Sequence, residues 1–211
     1  MTTKTVLKAR IADDIARSDL TTQIGEAIDD AITHYKSRRF YFTETRSATF
    51  ATVAAQSTYS SSDDADVPLF IKLDGVSLVD SSSLAHRLER YDPERIEFLL
   101  DSSAPSGRPY AYAYFDQSFR LYPIPDAVYT VRPFGHIERA GPATDGEASN
   151  VWMVNAFELI RCRAKAYLYT HVIRQMDKAA LMQEAEGQAL SALTTKTTKQ
   201  TALGRIEASD F

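Results

Sequence analysis

Residues 119–135, FRLYPIPDAVYTVRPFG, and residues 152–177, WMVNAFELIRCRAKAYLYTHVIRQMD, decide the fold between them. In the first, Phe119, Leu121 and Tyr122 run into the turn sequence Pro-Ile-Pro-Asp-Ala, and Val128, Tyr129, Val131, Phe134 and Ile137 continue as strand residues. In the second, Phe157, Ile160, Ala164, Leu168 and Val172 recur at helical spacing behind a leading tryptophan. A strand period thus gives way to a helical one across the loop AGPATDGEASN, 140–150.

Working back from this junction, Tyr110, Tyr112 and Tyr114 alternate at period two, and Asp116-Gln117 is a tight turn into Phe119. Asp92-Pro93-Glu94 starts a short helix that stops near Leu100, with Asp as N-cap and Pro at the first helical position. His86 to Tyr91 reads as a strand. Asp74-Gly75, between the apolar runs of VPLFIKLDGVSLVD, predicts a hairpin, because both residues tolerate positive φ. Ser57 to Asp66 is a polar linker. Ahead of it, Ala48, Phe50, Thr52 and Val53 alternate after the aromatic cluster Phe40, Tyr41 and Phe42.

The N-terminal residues are helical in pattern. Val6, Leu7, Ile11 and Ile15 suggest a short helix over 5–17. Leu20, Ile24, Ala27, Ile28, Ala31, Ile32 and Tyr35 predict a longer one over 20–39, capped by Ser18 or Asp19. After a break near Met176-Asp177, Ala180, Leu181, Ala185, Ala189 and Leu193 form the stripe of a second C-terminal helix. The tail TTKTTKQTALGRIEASDF has only Leu203, Ile206 and Phe211 as apolar points and cannot bury enough to fold alone. The expected organisation is α+β. N-terminal helices (1–39) and C-terminal helices (140–193) form a bundle, with an inserted antiparallel β region (40–139) and an extended C-terminal arm (194–211).

Composition narrows the function. The chain has 211 residues, 24 basic against 28 acidic, and a formal charge of −4, which argues against a protein that grips DNA by neutralising phosphates. The single cysteine, Cys162, cannot form an internal disulfide and reads as a buried or half-buried thiol suited to a reducing cytoplasm. MTTKTVLKARIADDIAR lacks the apolar core of a secretory signal and no window suits a membrane helix, so a soluble protein without membrane association is expected.

Catalytic and cofactor signals are absent. His34, His86, His136 and His171 are scattered without metal-ligand spacing, and no phosphate loop, dinucleotide fingerprint or nucleophile elbow occurs. The carboxylate pairs Asp13-Asp14, Asp29-Asp30 and Asp63-Asp64 could in principle serve glycoside hydrolysis, but adjacent residues point apart and a solvated surface is the favoured reading. No catalytic, cofactor-binding or metal residue is therefore assigned. Tyr110, Tyr112, Tyr114 and Phe115 could stack bases, yet only Arg108 and Arg120 flank them, so a sheet core is favoured. Lys36, Arg38, Arg39 and Arg46 form the densest basic patch, a candidate for the wall of a DNA channel, for intersubunit ion pairs or for a helix C-terminus.

The stretches Phe119 to Gly135, Trp152 to Val172 and Gly204 to Phe211 resemble the head-to-tail adaptor (connector) proteins of short-tailed bacteriophages. The resemblance implies a structural virion protein and not an enzyme. Copies, typically twelve, would form a ring under the portal protein at the head-tail junction, built in the host cytoplasm. The ring would extend the channel through which genomic DNA passes and present a platform for tail or nozzle proteins. A C-terminal arm that orders on the portal would here use Leu203, Ile206 and Phe211. The alternatives are a head-completion or tail-terminator protein of a long-tailed phage, and a virion-associated peptidoglycan hydrolase.

Overall fold

A computed structural model of the chain describes residues 2–63, 67 and 69–201. They divide into two compact units. One joins residues 1–42 to the chain from Arg139 onward, and the other is Thr43–Glu138. The fold is α+β, with helices toward both ends of the chain and strands between.

In the helical unit, α1 (Lys4–Ile15) buries Leu7, Ile11 and Ile15, and α2 (Thr21–Tyr35) buries Ile24, Ala27, Ile28, Ala31, Ile32 and Tyr35. The Thr3 hydroxyl accepts from the Val6 amide at 3.2 Å to cap α1, and Ala16, at φ 52°, closes it in the left-handed region. Neither Ser18 nor Asp19 caps α2 through its side chain; Asp19 instead takes two 2.6 Å bonds from Arg17. The helix also ends at Tyr35, short of the expected 39. Phe40 and Phe42 then turn inward onto Trp152 and belong to the helical core, so the β unit opens after them.

Asn150 caps α4 (Val151–Asn155) by accepting from the Trp152 amide, and α5 (Phe157–Tyr167) follows directly. A π-helical turn over Leu168–Ile173 and left-handed Arg174 make the expected break before α6 (Met176–Thr201). Two expectations for α6 need correction. Its inner face is Ala179, Met182, Glu186, Ala189, Leu190 and Leu193, whereas Ala180 is exposed and Leu181 is 60% exposed. The helix also continues to Thr201, so residues 194–201 of the expected extended arm are helical.

The β unit contains β1 (Glu44–Thr45), β2 (Phe50–Ala51), β3 (Thr58–Tyr59), β4 (Phe70–Val79), β5 (Ala85–Arg87), β6 (Glu89–Arg90), α3 (Pro93–Ser102), β7 (Ala111–Phe115), β8 (Ser118–Tyr122) and β9 (Thr130–Ile137). One sheet has the order β1-β9-β4-β5 with β2 also on β9, and the other has the order β3-β8-β7-β6. All pairings between these strands are antiparallel except β6 with β7. Phe50, Leu73, Val76, Leu78 and Val131 of the first sheet meet Tyr59, Tyr112, Phe119 and Leu121 of the second in one core, and Ile96 of α3 packs with Ala113 and Tyr122. Pro133, which has no amide to donate, lies opposite the interval between β1 and β2, where that edge of β9 is unpaired.

Asp74-Gly75 is not a hairpin turn. It lies inside β4, at a register shift between Leu73 and Gly75, and no described glycine has positive φ. Close approach is what demands glycine here. A Cβ on Gly75 would stand 2.5 Å from Phe134 Cζ, and one on Gly135 would stand 2.2 Å from the Lys72 carbonyl oxygen. The chain reverses later, where the Asp80 carboxylate accepts from the amides of Ser82 (2.9 Å) and Leu84 (3.0 Å). The expected strand 86–91 splits at buried Leu88, with β5 in the first sheet and β6 in the second. Asp116-Gln117 is the expected tight turn, with φ of 48° and 57° joining β7 to β8.

Candidate functional site

Buried and half-buried polar side chains tie the helices of the helical unit to one another. At the centre of the helical unit, Glu186 of α6 is only 8% exposed. It accepts from the Tyr35 hydroxyl of α2 and, at 3.1 Å, from Arg163 of α5. Arg163 also donates to His34 Nδ1 at 3.2 Å. Burial, with the neighbouring Arg163 charge, holds the His34 pKa below its usual value, while burial and the Glu186 carboxylate push the Tyr35 phenol up. One carboxylate therefore fixes the register of three helices.

Asp14, at the end of α1, ties that helix to α5, receiving Arg161 at 2.8 and 2.9 Å and Lys165 at 3.0 Å. Lys4 pairs with Asp29 at 2.7 Å and Lys8 with Asp145 at 2.5 Å, binding α1 to α2 and to the loop before Trp152. The carboxylates at positions 14 and 29 are thus structural ion-pair members, and Asp13 and Asp30 are exposed.

Tyr41 secures the C-terminal half of α6. Its amide donates to Thr197 Oγ1 at 3.3 Å and its hydroxyl to Asn155 at 2.7 Å, while Lys196 donates to that hydroxyl at 2.8 Å and covers the ring at 4.5 Å. Beside it, Val154, Phe157, Ala189, Ala192, Leu193 and Lys196 line an open, largely apolar groove of roughly 380 Å³. Leu203, Ile206 and Phe211 lie outside the described residues. The helix that carries the chain toward them is held at least to Thr197.

The basic patch is divided between the units. Lys36, Arg38 and Arg39 follow the end of α2, with Arg38 5.8 Å above the Tyr35 ring, whereas exposed Arg46 is in the β unit, 5.5 Å above Phe134. Lys36 borders an open cleft of roughly 430 Å³ with Lys4, Asp29 and Thr33.

The sequence profile of the family described as SU10 adaptor protein matches residues 1–209. The chain belongs to the SU10 adaptor protein family. This is a phage head-to-tail adaptor family, structural in character, and membership makes the chain a bacteriophage adaptor and a virion component. No curated protein matches it.

In this adaptor the aromatic strip is mainly core. Tyr112 is buried, and Tyr114 packs on Phe70 and Phe119, whereas Tyr110 and Phe115 are exposed. Arg120 is engaged with Glu97, and Arg108 contacts His86 at 3.1 Å. His86 also meets Asp80 at 2.9 Å and His136 meets Thr43 at 3.0 Å. Among the described residues no group of His, Cys, Asp and Glu could hold a metal, and no helix is long and apolar enough to cross a membrane. Cys162 is half-buried and its thiol pKa is raised by burial. The sequence does not single out Glu186 or Arg163, and it marks Tyr41 only as a member of an aromatic cluster. The usable signal for Glu186 was its helical spacing with Ala179, Met182 and Leu193.

Proposed function

We propose that twelve copies of this adaptor close into a ring beneath the portal protein at the head-tail junction, assembled in the host cytoplasm. The ring extends the DNA channel and presents the platform on which tail or nozzle proteins attach. The observation that carries this reading is the family match across residues 1–209. The helical unit forms the ring body and contacts the portal, and the β unit faces the tail proteins. Lys36, Arg38, Arg39 and Arg46 serve the channel wall or the contacts between copies. Twelve chains of charge −4 bring about fifty negative charges to the ring, which favours DNA sliding over sticking. No catalytic step belongs to this role. Cell-wall turnover by a clean preparation, abolished by one acidic substitution that leaves the fold intact, overturns that statement.

Leu203, Ile206 and Phe211 are the portal anchors. Burying each contributes about 1.5–3 kcal/mol, whereas ordering each backbone residue of the terminal segment costs about 1–2 kcal/mol. Three anchors cannot hold the segment by burial alone. Main-chain hydrogen bonds to the portal and repetition around the ring supply the rest, so single chains bind weakly and a full ring binds tightly. Native mass measurement of the adaptor mixed with its portal should show a many-copy complex, and deleting 202–211 should abolish it while leaving the melting transition unchanged. A one-to-one complex rejects the ring, and normal occupancy by the truncated chain rejects the anchors.

A further inference from the structure

We propose that the cleft where the chain crosses from β5 to β6 binds a single carboxylate, of the kind that an acidic side chain of a partner protein presents. The cleft measures roughly 340 Å³ and is lined by Asp74, Arg87, Glu89, Arg90 and Tyr112 around Leu88. That volume falls near the lower end of ligand pockets, at about 300 Å³. It accommodates a side chain with its adjoining backbone.

Tyr112 is the first indication. Its residue is 2% exposed, and among the described residues its hydroxyl has no hydrogen-bond partner, although it lines the cleft. The side chain is buried, but its hydroxyl oxygen opens onto the cleft, where it is free to donate to an acceptor that enters. Burial pushes the phenol pKa upward, with the nearby Arg90 and Arg87 charges acting the other way, so it remains a donor at neutral pH.

The two arginines are the second indication. Among the described residues neither the Arg87 nor the Arg90 side chain has an ion-pair or hydrogen-bond partner. A guanidinium fork matches the two oxygens of a carboxylate, which leaves the tyrosine hydroxyl to donate to the same group. Charge sets the number of ligand charges. Asp74 has its own counter-ion in Lys72 at 3.4 Å, so Arg87 and Arg90 stand against Glu89 alone and leave one positive charge. A carboxylate neutralises that charge, whereas a phosphate dianion exceeds it.

The test is a titration of the full chain with sodium acetate, followed through arginine Nε–H and tyrosine ring resonances. Sodium chloride and inorganic phosphate at matched ionic strength run in parallel. Acetate should shift Arg87, Arg90 and Tyr112 saturably and leave Arg95, stacked 3.9 Å over Tyr91, unchanged. Arg87→Gln and Arg90→Gln should each weaken binding about tenfold, and Arg87→Lys should lose less. Tyr112→Phe should weaken it a few-fold while the chain still melts cooperatively, which separates a binding role from a packing one. Equal shifts with chloride would reduce the effect to screening and overturn the site. Tighter binding of phosphate than acetate would overturn the single-carboxylate assignment.

Discussion

The helical unit and the β unit solve the problem of register by different means. In the β unit, the ladder of β4 on β9 and of β7 on β8 fixes which residues face each other, and pleating fixes which face points inward. Its side-chain polar contacts are mostly local, such as Asp80 with His86 or Ser60 with Asp63. Helices offer no main-chain bonds to one another, and apolar stripes tolerate sliding. There the long-range side-chain links decide: Lys4 to Asp29, Arg161 to Asp14, and Arg163 and Tyr35 to Glu186. The difference teaches where each unit is vulnerable. One should fail when backbones are forced apart, the other when a polar tie is cut.

The largest effects should come from core deletion in the helical unit. Trp152 is fully buried against Phe40 and Phe42, and its indole nitrogen donates to the Arg139 carbonyl at 3.0 Å. Trp152→Ala should cost about 3–5 kcal/mol, read from denaturant unfolding by helical circular dichroism. Hydrogen exchange should then show α2 and α5 losing protection while β4 and β9 retain it. Equal loss in both would merge the two units into one cooperative block.

Gly135 tests the ladder. Its added Cβ would meet main chain first, the Lys72 carbonyl oxygen, whereas at Gly75 the nearest atoms are those of the Phe134 ring. Gly135→Ala should therefore destabilise the β unit by about 3 kcal/mol and Gly75→Ala by about 1–2 kcal/mol, following the usual range for overpacking. Phe134→Leu should rescue Gly75→Ala but not Gly135→Ala in a double-mutant cycle. Rescue of both would place the close approach in side chains and remove the contrast between the units.

Glu186 tests the polar tie. Glu186→Ala leaves Tyr35 and Arg163 without their acceptor and should cost about 2–3 kcal/mol, less than a fully buried ion pair because Arg163 still reaches water. Combining it with Tyr35→Phe should add less than the sum of the separate effects. Strict additivity would mean that the two groups do not act together.

These contrasts separate what the sequence alone reveals from what it hides. The helices of both ends, the Trp-led helix and the Asp116-Gln117 turn were legible because each depends on residues within a few positions of one another. Asp74-Gly75 misleads for the opposite reason. Its glycine is needed by Phe134, which a local pattern cannot see. The inner face of α6 was displaced because hydropathy places a glutamate outside, whereas Glu186 is held inside by partners on α2 and α5. The tyrosine strip could be assigned to the core, but the unpartnered Tyr112 hydroxyl depends on where β5 and β6 part company. The proposed anchors Leu203, Ile206 and Phe211 come from their spacing as the apolar points of a polar tail and from resemblance to the adaptor family, and they lie outside the described residues.

The smallest effect concerns acid. Burial alone would push the Asp14 carboxyl up, but the bonds and charges of Lys165 and Arg161 prevail and hold it below its usual 3.8. Its contribution is therefore fully present above that value and is lost as pH falls through the folded pKa. His34 is held below its usual 6.5, chiefly by burial and then by Arg163, so the unfolded chain takes up that proton first and stability begins to fall below about pH 6.5. Both groups belong to the helical unit. In the β unit, Asp63 and Asp80 are also held low, but by partners within six residues, so protonating them loosens a turn without separating elements. Between pH 6.5 and 3, α2 and α5 should lose exchange protection before β4 and β9. At pH 7, Asp14→Asn should cost about 1 kcal/mol, as expected for a partly exposed ion pair, and should flatten the part of the acid response that lies below pH 4. If β4 and β9 open at the same pH as α2 and α5, side-chain ties are not what distinguishes the two units, and the contrast drawn from their hydrogen bonds fails.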